Sequence, residues 1–336
     1  MSTAEVLVGR ATLLSAPGYA LVVARALTRR FGKQIALAGV DVTLQPGQVV
    51  GLIGPNGAGK STLLSVLAGH MRPSSGEVSW PGAGTHGHFR GWLGMLPQGA
   101  ALPPQETPRR LLVHLARMQH EPDPEACAEK VLDALALAAR ADLRLRALSE
   151  GERKLVAIGQ AFLGAPQVVL LDEPTSALDP WGRQRLRALV RARRDEGGAV
   201  LLASHNLAEA EQLCDAVMVM VGGRIQALGT LSELLESRDE VRFEVGGAGR
   251  LPLEAMRSAL PGTAVELDSE ARIVTLQGLT RQTTSEQMVA TAFRLLAQAG
   301  VEVRRVVCGR SLERALTALV TAESRGSMDS EREGDQ

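Results

Sequence analysis

Aromatic side chains are scarce in this chain: three Trp, one Tyr and five Phe make up 3% of 336 residues, so an aromatic at a candidate site carries information. The run Arg183, Arg185, Arg187, Arg191, Arg193 and Arg194 lacks the interleaved aromatics of a nucleic-acid surface and reads as a solvated helix face. Excess charge of either sign is missing too. Lys plus Arg number 37 and Asp plus Glu 37, which removes the chain-wide basic footprint of a general nucleic-acid binder. Cys127, Cys214 and Cys308 are odd in number, far apart and without C-x-x-C spacing. That excludes a disulfide framework and a zinc site and fits a reducing, cytosolic compartment. No apolar run approaches the roughly 18 residues needed to span a bilayer. Residues 1–18 have no positive n-region before an apolar core, so they read as a leader rather than a signal peptide.

What is present is an ordinary globular balance, 45% apolar and 22% charged, at a length that suggests one larger and one smaller domain. From Ala20 onward, β-branched runs alternate with helical patterns. Strands are expected at Val49–Ile53, Val168–Leu171 and Val200–Ala203, and helices from Gly59 and from about Pro180. The class is α/β, a sheet covered by helices. Between Pro103 and Leu148 only helical spacing remains, as in Leu111, Leu112, Leu115 and Met118, which gives an all-helical insert over about 103–148.

A second region opens near Glu240. Its pattern is strand (Val241–Val245), helix (Pro252–Ala259), two strands (Thr263–Leu267, Arg272–Leu276), helix (Thr283–Ala299) and strand (Val301–Val307). This βαββαβ order is that of a small α+β, ferredoxin-like domain. A last helix is expected over Ser311–Thr321. The division is 1–18 leader, 19–237 core domain, 240–322 accessory domain and 323–336 a polar tail expected to be disordered.

Gly54-Pro55-Asn56-Gly57-Ala58-Gly59-Lys60-Ser61-Thr62 fits G-x-x-x-x-G-K-[ST] between an apolar strand and a helix. Glycines let the backbone curl with successive N–H groups pointing inward, and the following helix adds its positive end, so phosphate oxygens are the natural guest. Lys60, one of only four lysines, is placed to meet the β and γ phosphates, and the Ser61 hydroxyl to coordinate Mg²⁺. Val168–Leu171 leads into Asp172 and Glu173, where a nucleotide site in a parallel sheet collects its ligands. Asp172 is expected to hold Mg²⁺. Glu173, pointing elsewhere because side chains alternate at a strand end, is left to act on an attacking water.

Together these residues resemble the nucleotide-binding subunit of ABC transporters, in motif order over residues 20 to about 235. The resemblance implies a P-loop NTPase core (ABC ATPase) with a helical subdomain. Leu148-Ser149-Glu150-Gly151-Glu152 is similar to the family signature L-S-G-G-Q, with Ser149 and Gly151 kept. In the family this segment comes from the opposite subunit and caps the γ-phosphate, so hydrolysis requires two chains. Glu150 and Glu152 depart from the pattern: their carboxylates point outward, favouring the helix dipole, or the site closes more weakly than usual. Gln98 resembles the glutamine that senses Mg²⁺ and the attacking water. His205 resembles the switch histidine, and Ser176-Ala177-Leu178-Asp179 the loop that crosses the dimer interface. Phe31 matches the position where the family stacks a ring on adenine, although an aromatic there also fits core packing.

The resemblance implies an ATP-hydrolysing subunit that pairs as a homodimer or heterodimer, closes on two MgATP and drives separate transmembrane permease subunits. Its expected location is cytoplasmic, peripheral on the inner face of the cell membrane, with no nucleic acid as partner. The C-terminal segment Ser311-Leu312-Glu313 is similar to the small domain that ends many exporter-type ATPase subunits, which tilts the expectation toward export. A soluble ABC-type ATPase acting on ribosomes or DNA is the alternative. Ribosome-acting members usually carry two cassettes and DNA-repair members long coiled coils, and neither is seen in this sequence.

Overall fold

A computed structural model of the chain describes residues 20–81, 83, 91–230, 240–247, 250–278 and 285–308. The expected leader, the helix over Ser311–Thr321 and the polar tail lie outside these residues. The chain divides into two compact units, 1–230 and 231–336.

In the first unit, β1 (Val22–Phe31), β2 (Gln34–Leu44) and β4 (Ser75–Ser79) form an antiparallel three-stranded sheet in the order β2-β1-β4. A second sheet combines β3 (Val49–Ile53), β5 (Leu93–Leu96), β6 (Val168–Asp172), β7 (Ala199–Ser204), β8 (Ala216–Val221) and β9 (Arg224–Gly229), ordered β5-β6-β7-β3-β8-β9. Its first five strands run parallel, and β9 closes the edge as an antiparallel hairpin with β8. Every residue of β3, β6, β7 and β8 is buried, as continuous apolar runs covered on both faces should be. Each fully buried Val, Leu or Ile contributes about 1.5–3 kcal/mol relative to exposure.

Register decides where the functional side chains go. Ile53 pairs with Ser204, Asp172 with Ala203 and Leu96 with Leu171, so the carboxyl ends of β3, β5, β6 and β7 finish side by side. An open parallel sheet binds ligands along that edge. The helices of this unit are α1 (Lys60–Leu67), α2 (Pro108–Met118), α3 (Pro124–Ala134), α4 (Glu150–Phe162), α5 (Pro180–Asp195) and α6 (Leu207–Leu213). Between Pro108 and Ala147 the regular elements are α2, α3 and two short 3-10 turns, Ala138–Arg140 and Leu145–Ala147, with α2 and α3 each started by an Asp or Thr cap and a proline. Leu112, Ala116, Ala128, Val131 and Leu132 join the same buried cluster as Leu155 and Ile158 of α4. The arginine face of α5 differs from expectation at one position. Arg193 is 6% exposed and donates to the Ala165 and Glu196 carbonyls, because the loop before β6 folds over it.

Packing of β5 on α4 depends on a missing side chain. A Cβ on Gly94 would lie 1.8 Å from the Ala161 carbonyl oxygen, which is backbone and has nowhere to go. Gly94→Ala is therefore expected to destabilise the chain by about 3 kcal/mol, measured as a lower urea midpoint at unchanged m-value.

The second unit contains β10 (Glu240–Gly246), α7 (Leu253–Ala259), β11 (Thr263–Asp268), β12 (Ile273–Gly278), α8 (Ser285–Gln298) and β13 (Glu302–Cys308). All neighbours in its sheet, ordered β11-β12-β10-β13, are antiparallel. Val241, Phe243 and Val245 alternate inward from β10 and meet Met256 of α7 and Met288, Ala292 and Leu296 of α8 in a separate core. This is a βαββαβ unit of ferredoxin-like order.

Candidate functional site

Gly59 opens the site. Its φ of +103° is left-handed, and a Cβ there would meet the Ala36 carbonyl at 2.3 Å, so only glycine fits. As the N-cap of α1 it has no side chain to bond the first helical N–H groups, which leaves them for a ligand. Lys60 follows, 7% exposed, its ammonium donating to the carbonyls of Gly54 at 2.7 Å and Pro55 at 3.0 Å. Burial holds the Lys60 pKa below its ordinary value, against the opposing pull of the Glu173 and Asp172 carboxylates. Around this lysine lies a cleft of about 400 Å³. It is lined by Asn56, Gly57, Gly59, Ser61 and Thr62 of the loop and helix start, by Gln98, Asp172 and Glu173, and by Phe31.

Asp172, the last residue of β6, is 2% exposed. Burial raises its pKa, opposed by a hydrogen bond with the Ser61 hydroxyl. Its Oδ1 atom is buried without a hydrogen-bond partner. An orphaned carboxylate oxygen is costly unless a cation meets it, so Asp172 and Ser61, with the Gln98 amide in the same cleft, fit a divalent ion that takes oxygen ligands.

Glu173 is turned by a mechanism other than strand alternation. The strand ends at Asp172, and Glu173 adopts a φ of +48°, a left-handed conformation that costs a non-glycine residue about 1 kcal/mol or more. Its N–H donates to the Ala203 carbonyl at 3.0 Å and its own carbonyl accepts from the Ser176 hydroxyl at 2.8 Å. The half-buried carboxylate then meets His205, whose Nδ1 is 2.9 Å from Glu173 Oε1.

Ser149 and Gly151 are not among the residues that line this cleft. Ser149 caps α4 in a reciprocal box: its hydroxyl accepts from the Glu152 N–H at 3.2 Å, and the Glu152 carboxylate accepts from the Ser149 N–H at 2.8 Å. That backbone bond holds the Glu152 carboxyl below its usual pKa, with Arg140 3.5 Å away. Glu152 thus turns back onto its own helix end, and Glu150 stays exposed at the first helical position. Glu150 lines a second cavity, of about 580 Å³, with Arg153, Lys154, Ser176 and Ala177. Phe31 is 44% exposed, with the Arg29 guanidinium 4.7 Å from its ring centroid, so an incoming ring has only the other face.

A family model described as ABC transporter matches residues 37–176. The daunorubicin resistance ATP-binding protein DrrA3 of Streptomyces coeruleorubidus is 33% identical over 287 residues, covering 84% of this chain and 90% of that protein. The chain belongs to the ABC transporter ATP-binding subunits. A solved ATP-binding subunit of an ABC transporter superposes with a TM-score of 0.58 at 30% identity, over 64% of this chain and 91% of its own. The ABC cassette fold expected from the motifs is therefore the fold of the first unit. ATP-binding cassette sub-family A member 9 of Homo sapiens is 39% identical over 206 residues, 60% of this chain, and the chain spans 13% of that protein's length.

Two residues near the site escaped the sequence reading. Lys154 is half-buried on α4, its pKa lowered by burial although Asp172 and Glu173 act on it in the opposite sense. Its rarity was the available signal, because the chain has only four lysines. Glu209 is buried on α6, four positions beyond His205. A carboxylate among apolar neighbours on a short helix was its only mark.

Proposed function

We propose that this ABC subunit binds MgATP over Gly54–Thr62, hydrolyses it with Glu173 in a head-to-tail pair with a second copy or a homologue, and powers transport through separate membrane-spanning subunits. Export is the favoured direction. The observation that carries the reading is the single cleft that joins the phosphate loop to Gln98, Asp172, Glu173 and Phe31. Lys60 and the free N–H groups of α1 would hold the β and γ phosphates, and Phe31 the adenine on its open face. Ser61, Asp172 and Gln98 would hold Mg²⁺, which when bound would neutralise negative charge on the triphosphate. Glu173 takes a proton from water as that water's oxygen bonds to the γ-phosphorus, the β–γ bridging bond breaks and ADP leaves. His205, bonded to Glu173, keeps the carboxylate aimed.

Ser149 and Gly151 point to the need for a second chain. They are absent from the cleft's lining, so a partner's pair would cap the γ-phosphate. No helix among the described residues is long and apolar enough to cross a membrane; the separate membrane subunits and the peripheral position on the inner face belong to the proposal through the resemblance to the family. Purified chain is expected to release phosphate from ATP only with Mg²⁺, at a specific rate that rises with protein concentration as pairs form. Absence of both nucleotide binding and phosphate release would overturn the reading. In the reconstituted complex, cargo compounds should stimulate turnover.

A further inference from the structure

The buried carboxylate of Glu209 has no part in the reaction described above. It is 8% exposed, and a carboxylate that deep is costly unless its oxygens are bonded. Its two partners come from the segments that carry the reacting pair. The Thr175 hydroxyl donates to Glu209 Oε2, and Thr175, 6% exposed, follows Glu173 by two residues. The fully buried Ser204 hydroxyl, next to His205, lies 3.4 Å from the same oxygen. Ser204 Oγ also accepts from the Asn206 N–H at 3.0 Å, on the far side of His205. One carboxylate oxygen thus ties the turn after β6 to the end of β7.

We infer that Glu209 is a positioning residue for hydrolysis, clamping the Glu173 turn to the His205 strand end so that the 2.9 Å contact between those side chains is kept. The inference rests on the reading of Glu173 as base and His205 as its orienting partner. Its physical basis is the left-handed backbone of Glu173, which persists only where the surroundings over-determine it. A backbone bond, Glu173 N–H to the Ala203 carbonyl, restrains the turn at the strand ends. Glu209 supplies a second restraint from the buried side. A displacement near 1 Å at a reacting group lowers turnover about 100-fold.

The test is a double-variant cycle on the full chain, read as turnover, affinity for a fluorescent ATP analogue and thermal unfolding. Glu209→Ala is expected to lower kcat about 10- to 100-fold while nucleotide Kd stays within about threefold. Glu209→Gln keeps an acceptor for both hydroxyls and should return kcat to within about threefold of wild type. Added to His205→Ala, Glu209→Ala should cost less than about threefold more, because the contact it maintains is already gone. Losses that multiply, failure of the Gln variant to restore turnover, or an equal loss of nucleotide affinity would make Glu209 a structural residue only and overturn the inference. If Glu209→Ala does not fold, Thr175→Val removes the donor at constant volume and is read in the same cycle against the same expectations. A wild-type chain without turnover, or full turnover in His205→Ala, would instead sink the reading beneath the inference, and the inference with it.

Discussion

Replacing Glu173 by Gln should leave ATP bound and nearly stop its hydrolysis, lowering turnover by roughly two to four orders of magnitude. The substitution is narrow because the backbone that aims the side chain is untouched. The N–H to the Ala203 carbonyl, the Ser176 hydroxyl on the Glu173 carbonyl and the left-handed φ of +48° do not depend on the carboxylate. An amide oxygen can still bond His205. What disappears is the group able to take a proton from water as it attacks phosphorus. Affinity should hold or tighten, since a negative charge beside a triphosphate is removed. Phosphate release and fluorescent-nucleotide titration separate the two quantities. Size-exclusion chromatography with MgATP should show paired chains accumulating, because closure is no longer followed by hydrolysis. Full turnover in the variant would displace Glu173 as base.

The legible parts of this chain are those whose physics is local. Val49–Ile53 and Val168–Asp172 are unbroken apolar runs that have to be covered on both faces, and the loop between Gly54 and Lys60 carries its geometry in its glycines. The strand Glu240–Gly246 of the second unit was legible for a related reason: Val241, Phe243 and Val245 alternate cleanly. The three-stranded sheet was not. Ser75–Ser79 has a single apolar residue, Val78, and Val22–Phe31 is interrupted by register shifts around Ala26, whose φ is positive. These strands exist because of neighbours far away in sequence. Distance along the chain also hid Arg193, which donates to a carbonyl 28 residues earlier, and Glu209, which accepts from a hydroxyl 34 residues earlier. At Glu173 the residue type was readable but its direction was not, because a left-handed turn replaces the alternation of an extended strand. The gaps thus fall where a side chain's partner is supplied by tertiary structure.

Lys60→Ala should act on the other half of the cycle, weakening ATP binding itself. Hydrogen bonds to a charged group in a dry site are worth about 2–3 kcal/mol. That converts to a rise in Kd of roughly 30- to 150-fold. The structure adds a reason why the loss should appear in the ground state. The Lys60 ammonium bonds the Gly54 and Pro55 carbonyls as well as being placed for phosphate, so it also holds the loop in its curl. Removing it takes away a phosphate partner and also frees a loop that must then be ordered on binding. Lys60→Met separates charge from volume: it retains the aliphatic stem in a site that is 7% exposed, and should bind as weakly as the Ala variant if the ammonium is what matters. Because the charge is buried, raising salt should narrow the gap between wild type and variant only slightly. Glu173→Gln and Lys60→Ala therefore predict opposite signatures, lost turnover at retained affinity against lost affinity. A Lys60→Ala chain that binds ATP as tightly as wild type would remove this lysine from the phosphate site.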